Sequence, residues 1–127
     1  MATTAINDIE KWVQGADKKP KFAIYDSTLT TPIALSLFSG YGVVIFNPSG
    51  TEVGRYGTGM SGYTTAEFSA VSTTSFEIAL DHSLNTSSTD GIWEYRVAAV
   101  WSDNDFTDSD YSTFSDDRQP LYNSVAL

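Results

Sequence analysis

Hydrophobic positions repeat with two different periods along this chain. Over the first stretch Ile6, Ile9, Trp12 and Val13 recur at steps of three and four, which puts them on one face of a helix. Thr3 or Thr4 can cap its start, Asn7 and Asp8 fall in its first turn, and Gly15 stops it. A helix this short is marginal alone and needs a surface to pack on. Either it closes one end of the domain, or it is an arm that docks on a partner through Ile6, Ile9, Trp12 and Val13, with Trp12 as the hot spot.

From Lys21 the period drops to two, the signature of strands. Phe22 and Ile24 alternate with Ala23 and Tyr25, and after Thr31-Pro32 the positions Ile33, Leu35 and Leu37 alternate with Ala34, Ser36 and Phe38. Tyr41 to Phe46 is apolar on both faces and reads as a central strand. It ends at Asn47-Pro48-Ser49-Gly50, where proline suits the second turn position and glycine the fourth, and Thr51 to Tyr56 returns as the hairpin partner. Residues 57–75 are ambiguous, because Thr64-Thr65-Ala66-Glu67 fits a capping box as well as a strand. Phe76, Ile78 and Leu80 resume the alternation. Ile92 to Trp101 is the longest strand, with Trp93, Tyr95, Val97, Ala99 and Trp101 on one face. Pro120-Leu121-Tyr122 adds a last edge contact. About six to eight short strands separated by turn signals predict an all-β antiparallel sandwich with one short N-terminal α-helix. Residues 1–21 then form the helix and linker, and 22–127 the β-sandwich domain with its acidic C-terminal segment.

Composition narrows the function classes. The chain has 127 residues, a length that suits one domain, and no cysteine, so disulfide, iron–sulfur and zinc–thiolate sites are excluded. Seven basic against 16 acidic side chains give a net charge of −9, and nucleic acid and anionic membranes select for the opposite sign. No stretch approaches the ~20 apolar residues of a membrane span, and no secretory signal is expected at the N-terminus. Four of the seven basic groups (Lys11, Lys18, Lys19, Lys21) lie before residue 22.

Candidate chemistry is sparse. Gly57-Thr58-Gly59-Met60-Ser61-Gly62 matches the dinucleotide fingerprint, but that motif must open a helix within a βαβ unit, so a flexible loop is the preferred reading and no cofactor is expected. Asp103, Asp105, Asp108 and Asp110 are candidate calcium ligands, although Asp108 and Phe114 stand where an EF-hand needs glycine and glutamate. The alternative, which is preferred, is a solvated loop that keeps a neighbouring strand edge from pairing. His82, the sole histidine, has no nucleophile elbow to serve and reads as a surface turn residue. No carboxylate pair is tied to a cleft, so no catalytic residue and no enzyme is expected. Trp12, Trp93, Trp101 and seven tyrosines invite a sugar-stacking reading, against which core packing is the simpler account of Trp93 and Trp101. Asn85-Thr86-Ser87 is a formal glycosylation sequon that reads as a polar turn.

Three segments carry a resemblance. Thr31-Pro32-Ile33-Ala34-Leu35-Ser36 is similar to a "g-x-P-I-D-L-S/T" opening. Ile45-Phe46-Asn47-Pro48-Ser49-Gly50-Thr51-Glu52-Val53 matches a "dp-x-G-x-x-V" hairpin, and Asp90-Gly91-Ile92-Trp93-Glu94-Tyr95-Arg96-Val97 an "x-G-x-Y-x-Y-x-V" strand. Together they resemble the small immunoglobulin-like β-sandwiches of tailed-bacteriophage virions, departing at Ala34 (aspartate in that group) and Trp93 (commonly tyrosine). The resemblance covers roughly two-thirds of the chain, through motifs that mainly encode turns and alternation. It implies a non-enzymatic virion structural protein: a tail, neck or baseplate component, or a capsid decoration protein. Its partners would be other virion proteins, in a homo-oligomer or multi-copy assembly. The alternative is a carbohydrate- or surface-binding β-sandwich module.

Overall fold

The computed structural model describes residues 3–4, 10–25, 30–86, 91–102, 111–115 and 117–126. Through them run strands β1 (Thr3–Thr4), β2 (Glu10–Val13), β3 (Lys21–Tyr25), β4 (Gly40–Phe46), β5 (Glu52–Thr58), β6 (Phe68–Ala70), β7 (Ser75–Ile78), β8 (Gly91–Ser102), β9 (Tyr111–Ser115) and β10 (Gln119–Val125). They build two sheets, one ordered β1-β3-β7-β6 and the other β2-β10-β8-β4-β5, with β9 also paired to β8. Among these strand pairs only β2 on β10 is parallel. β8 organises the larger sheet. One of its edges carries β4, from Gly40↔Val100 to Phe46↔Glu94, and the other carries β10 and then β9.

Alternation decides what lies between the sheets. Phe22, Ile24, Phe76 and Ile78 of the smaller sheet meet Tyr41, Val43, Ile45, Trp93, Tyr95 and Val97 of the larger in one buried cluster. Aromatic rings join the layers, with Phe22–Tyr95 centroids 5.1 Å apart and Tyr41–Phe76 centroids 5.3 Å apart. β4 is buried along its whole length, as its two-faced apolar pattern predicts.

The expected hairpin is present and shows why those turn residues stand there. Gly50 donates its N–H to the Asn47 carbonyl at 2.8 Å and sits at φ +85°, a conformation that glycine adopts without strain. The Asn47 side-chain oxygen accepts from the N–H groups of Ser49 (3.1 Å) and Thr51 (3.0 Å) and from the Ser49 hydroxyl (2.7 Å). Asn47→Ala removes all three bonds and is expected to lower unfolding free energy by about 1 kcal/mol, readable in urea melts.

Several sequence expectations need correction. Glu10–Val13, read as the end of a helix, is strand β2, and Thr3–Thr4, read as its cap, is strand β1. Steps of three and four around Trp12 therefore do not express a helix here, because main-chain pairing with β10 and burial of Trp12 outweigh local propensity. Ile6 and Ile9 lie outside the described residues. A division at residue 21 does not separate two units, since β2 is part of the larger sheet.

Next, Ile33 to Phe38 is not a strand. It contains a 3-10 turn, Leu35–Leu37, in which Leu35 alone is buried and Leu37 is largely exposed. Further on, the ambiguous stretch after Gly57 turns without forming a helix, in line with the preferred loop reading. Thr64 instead pairs back on β5, donating to the Arg55 carbonyl at 3.0 Å and accepting from the Gly57 N–H at 2.9 Å. Finally, the C-terminal part is richer in strand than its charge suggests. β9 emerges from the acidic region, and β10 is an interior strand rather than an edge contact, with Pro120 tolerated at a register shift.

Candidate functional site

The sequence-derived candidates are scattered by the fold. Trp12 is 0% exposed and packs against Trp93 with the rings tilted and their centroids 4.7 Å apart, whereas Val13, 38% exposed, points the other way as the next residue of a strand. These two residues therefore share no docking face, and Trp12 is already occupied within its own domain. Trp93 is buried as core packing required, and Trp101 packs partly buried against the core beside Phe38. Neither Trp12 nor Trp93 is available to stack on a sugar. Asp103, Asp105, Asp108 and Asp110 lie outside the described residues. In the glycine motif, Gly57 belongs to β5 while Gly59 and Gly62 turn the chain back toward Thr64, so no helix N-terminus is offered to a phosphate.

What the fold does assemble is an arginine–aromatic face on the outside of the larger sheet. All three arginines of the chain reach it: Arg55 from β5, Arg96 from β8, and Arg118 from the break between β9 and β10. Arg118 lies over the Phe46 ring, its guanidinium carbon 3.7 Å from the centroid, and Arg96 stands 5.6 Å from the same ring. Under these two cations Phe46 is only 3% exposed although it points away from the core. Arg55 lies 5.8 Å from the Tyr63 ring and forms a two-bond ion pair with Glu52, at 2.9 and 3.0 Å. That hydrogen bond, helped by the nearby charges of Arg55, Arg96 and Arg118, holds the Glu52 carboxyl below its usual range. The Tyr63 ring covers Gly42, where an added Cβ would come within 2.9 Å of it and 2.5 Å of the Tyr56 carbonyl. Arg96 Nε is buried and makes no hydrogen bond. Flat guanidiniums stacked on rings keep N–H edges for carboxylate or amide acceptors, a chemistry suited to protein contacts. Arg118→Ala uncovers Phe46, and a loss of about 1 kcal/mol is expected in urea melts from the lost stacking.

This face was partly legible. Strict alternation in β8 puts Arg96 opposite Trp93 and Tyr95, and the β4–β5 register carries Arg55 to the same side. Arg118 gave no local signal, since only the long-range pairing of β10 brings it there.

A second cluster gathers where the chain crosses from β2 to β3. His82, in the 3-10 turn His82–Leu84, donates its backbone N–H to Asp17 Oδ1 at 2.7 Å, and its ring Nδ1 lies 3.0 Å from the same oxygen. Asp81 Oδ1 is 3.4 Å from that ring nitrogen. Asp81 Oδ2 accepts from the N–H and hydroxyl of Ser83, and these bonds, the hydroxyl foremost, hold its carboxyl below the usual range. The Asp17 hydrogen bond and both carboxylate charges raise the His82 pKa. Stability from this contact is thus fully present below the unfolded histidine value of ~6.5 and is lost as pH rises through the higher folded value. An NMR titration is expected to give a His82 midpoint above that of a free histidine, and Asp17→Asn to lower it. Asp17 and Asp81 also line a depression of about 380 Å³ with Lys18, Lys19, Glu67 and Leu80.

No protein-family model matches the chain, and no curated protein matches it either.

Proposed function

We propose that this chain is a non-enzymatic virion structural protein with an immunoglobulin-like sandwich, working through protein–protein assembly in a tailed-bacteriophage particle. Strand order supports the immunoglobulin-like part of the reading. β1-β3-β7-β6 against β10-β8-β4-β5 follows the two-sheet arrangement of immunoglobulin domains, with an additional strand beside the β4 edge. The start of the chain divides between the sheets, β1 antiparallel on β3 and β2 parallel on the last strand β10. Fold alone does not assign function. The virion assignment rests on the three sequence motifs, of which the Asn47–Gly50 hairpin and the β8 strand take the expected form. The arginine–aromatic face is the surface that the assembly role would use.

Mass spectrometry of purified virus-like particles from the source culture, quantified against the major capsid protein, tests the proposal. Stoichiometric presence is expected. A ratio of hundreds of copies indicates a capsid decoration, and about six to twelve a closed ring of the tail or neck. Absence from the particles overturns the reading.

A further inference from the structure

The structure assigns a second, unrelated capacity to the crossing between β2 and β3: we propose that Asp17, Asp81 and His82 form a surface site for a divalent transition-metal ion of the zinc class. The backbone places the donors. Lys18 and Leu80 form an isolated antiparallel bridge, with N–H to carbonyl distances of 3.0 and 2.7 Å in the two directions. Residues flanking such a bridge on opposite chains face each other, so Asp17 and Asp81 are held in opposition by main-chain bonds. Two carboxylates fixed this way repel each other unless a cation stands between them. His82 Nδ1 occupies that place.

One ring nitrogen carries at most one proton, yet it faces two carboxylate oxygens, at 3.0 and 3.4 Å. The proton can serve one of them well. A metal ion serves both. A tetrahedral ion with bonds of about 2.0–2.2 Å spaces its ligand atoms roughly 3.3–3.6 Å apart. The three donor atoms already lie within 4.8 Å of one another, and all three residues are exposed, so small side-chain adjustments suffice. Imidazole nitrogen with carboxylate oxygen selects zinc-class ions over calcium or magnesium, which prefer oxygen alone. The remaining positions face solvent and take water. Lys18 and Lys19, which line the adjoining depression, oppose the ion's charge, while the net charge of −9 favours its approach. Binding competes with protonation, because the ion needs the lone pair of Nδ1 and the Nδ1 proton leaves to solvent.

Zinc chloride titrated into the untagged full chain at pH 7.5, in a non-chelating buffer, tests the site by calorimetry and by NMR. The imidazole signals are unambiguous because the chain has a single histidine. One ion per chain is expected to shift them, with affinity falling at least about tenfold in Asp17→Asn, Asp81→Asn and His82→Ala. Affinity is also expected to fall between pH 7.5 and 5.5, as the proton reclaims Nδ1. Calcium at the same concentration should leave the imidazole signals in place. Zinc bound without movement of His82, as on the acidic stretch 103–110, overturns the assignment, as does unchanged affinity in His82→Ala. The readout is independent of virion assembly, so particles lacking the chain would leave it intact.

Discussion

Trp12→Ala is expected to cost about 3–5 kcal/mol of unfolding free energy, the range for truncating a buried tryptophan. Its ring packs on Trp93 at 4.7 Å and edge-on to Tyr122 at 5.6 Å, and Nε1 donates to the Ala16 carbonyl at 2.6 Å. Removing it opens a cavity at the seam where β2, β10 and β8 meet and leaves that carbonyl without its donor. The docking-arm reading expects the opposite: an intact domain that no longer assembles. Urea denaturation of the isolated variant separates the two. An unfolding midpoint like that of the parent would return Trp12 to the role of a partner contact. Trp12→Phe should recover part of the loss, since it keeps a ring in the cavity but not the Ala16 bond.

The same tryptophan shows where sequence reading works and where it stops. Strands β3, β4, β5, β7 and β8 were legible because each carries its own evidence: an unbroken alternation, a β-branched run, or a turn whose residues demand their conformation. Trp93, Tyr95, Val97 and Ala99 fall on the buried face that parity assigned them. β2 failed for the reason β8 succeeded. Four residues hold barely one period of either pattern, so spacing cannot distinguish a helix from a strand there, and the deciding interaction is a parallel ladder to residues more than 100 positions away. β9 was hidden by charge, since a strand at a sheet edge tolerates aspartates nearby that read as loop. Leu37 shows the converse error, an apolar residue in perfect alternation that ends largely exposed in a 3-10 turn.

The candidate sites follow the same division. Arg96 and Arg55 could be placed on one face from strand parity, but their convergence with Arg118 over Phe46 required the break between β9 and β10. His82 was legible as a turn residue. Its meeting with Asp17, 65 positions earlier, was not, because it depends on the Lys18–Leu80 bridge between segments that carry no mutual signal.

Asn85 was read as part of a polar turn, and it is instead one of the few buried polar side chains, 3% exposed. Its amide nitrogen donates to the Trp12 carbonyl at 3.1 Å, its amide oxygen accepts from the Ser124 hydroxyl at 3.1 Å, and its own carbonyl accepts from the Gly15 N–H at 2.8 Å. One residue thereby ties the end of β2, the end of β10 and the His82–Leu84 turn together. Both ends of the amide are engaged inside the fold, so the formal sequon around it has no free acceptor nitrogen in the native state. Asn85→Leu removes the side-chain donor from the Trp12 carbonyl, which keeps its main-chain bond to β10, and takes away the acceptor of the Ser124 hydroxyl; it is expected to cost about 1–3 kcal/mol. Asn85→Asp makes the sharper test. Its shape is kept, but the group facing the Trp12 carbonyl changes from a donor to an oxygen, and burial disfavours the charged form. The folded pKa of the new carboxyl should therefore lie above the ~3.9 of an unfolded aspartate. Below that pH both states are protonated and the acid can donate to the carbonyl, so the variant should approach the parent. As pH rises toward the folded value the unfolded chain ionises first, and each unit of difference removes about 1.4 kcal/mol. Urea melts of parent and variant at pH 4 and pH 7 should thus diverge at the higher pH. A gap that stays constant between the two would mean that Asn85 donates nothing of consequence to Trp12.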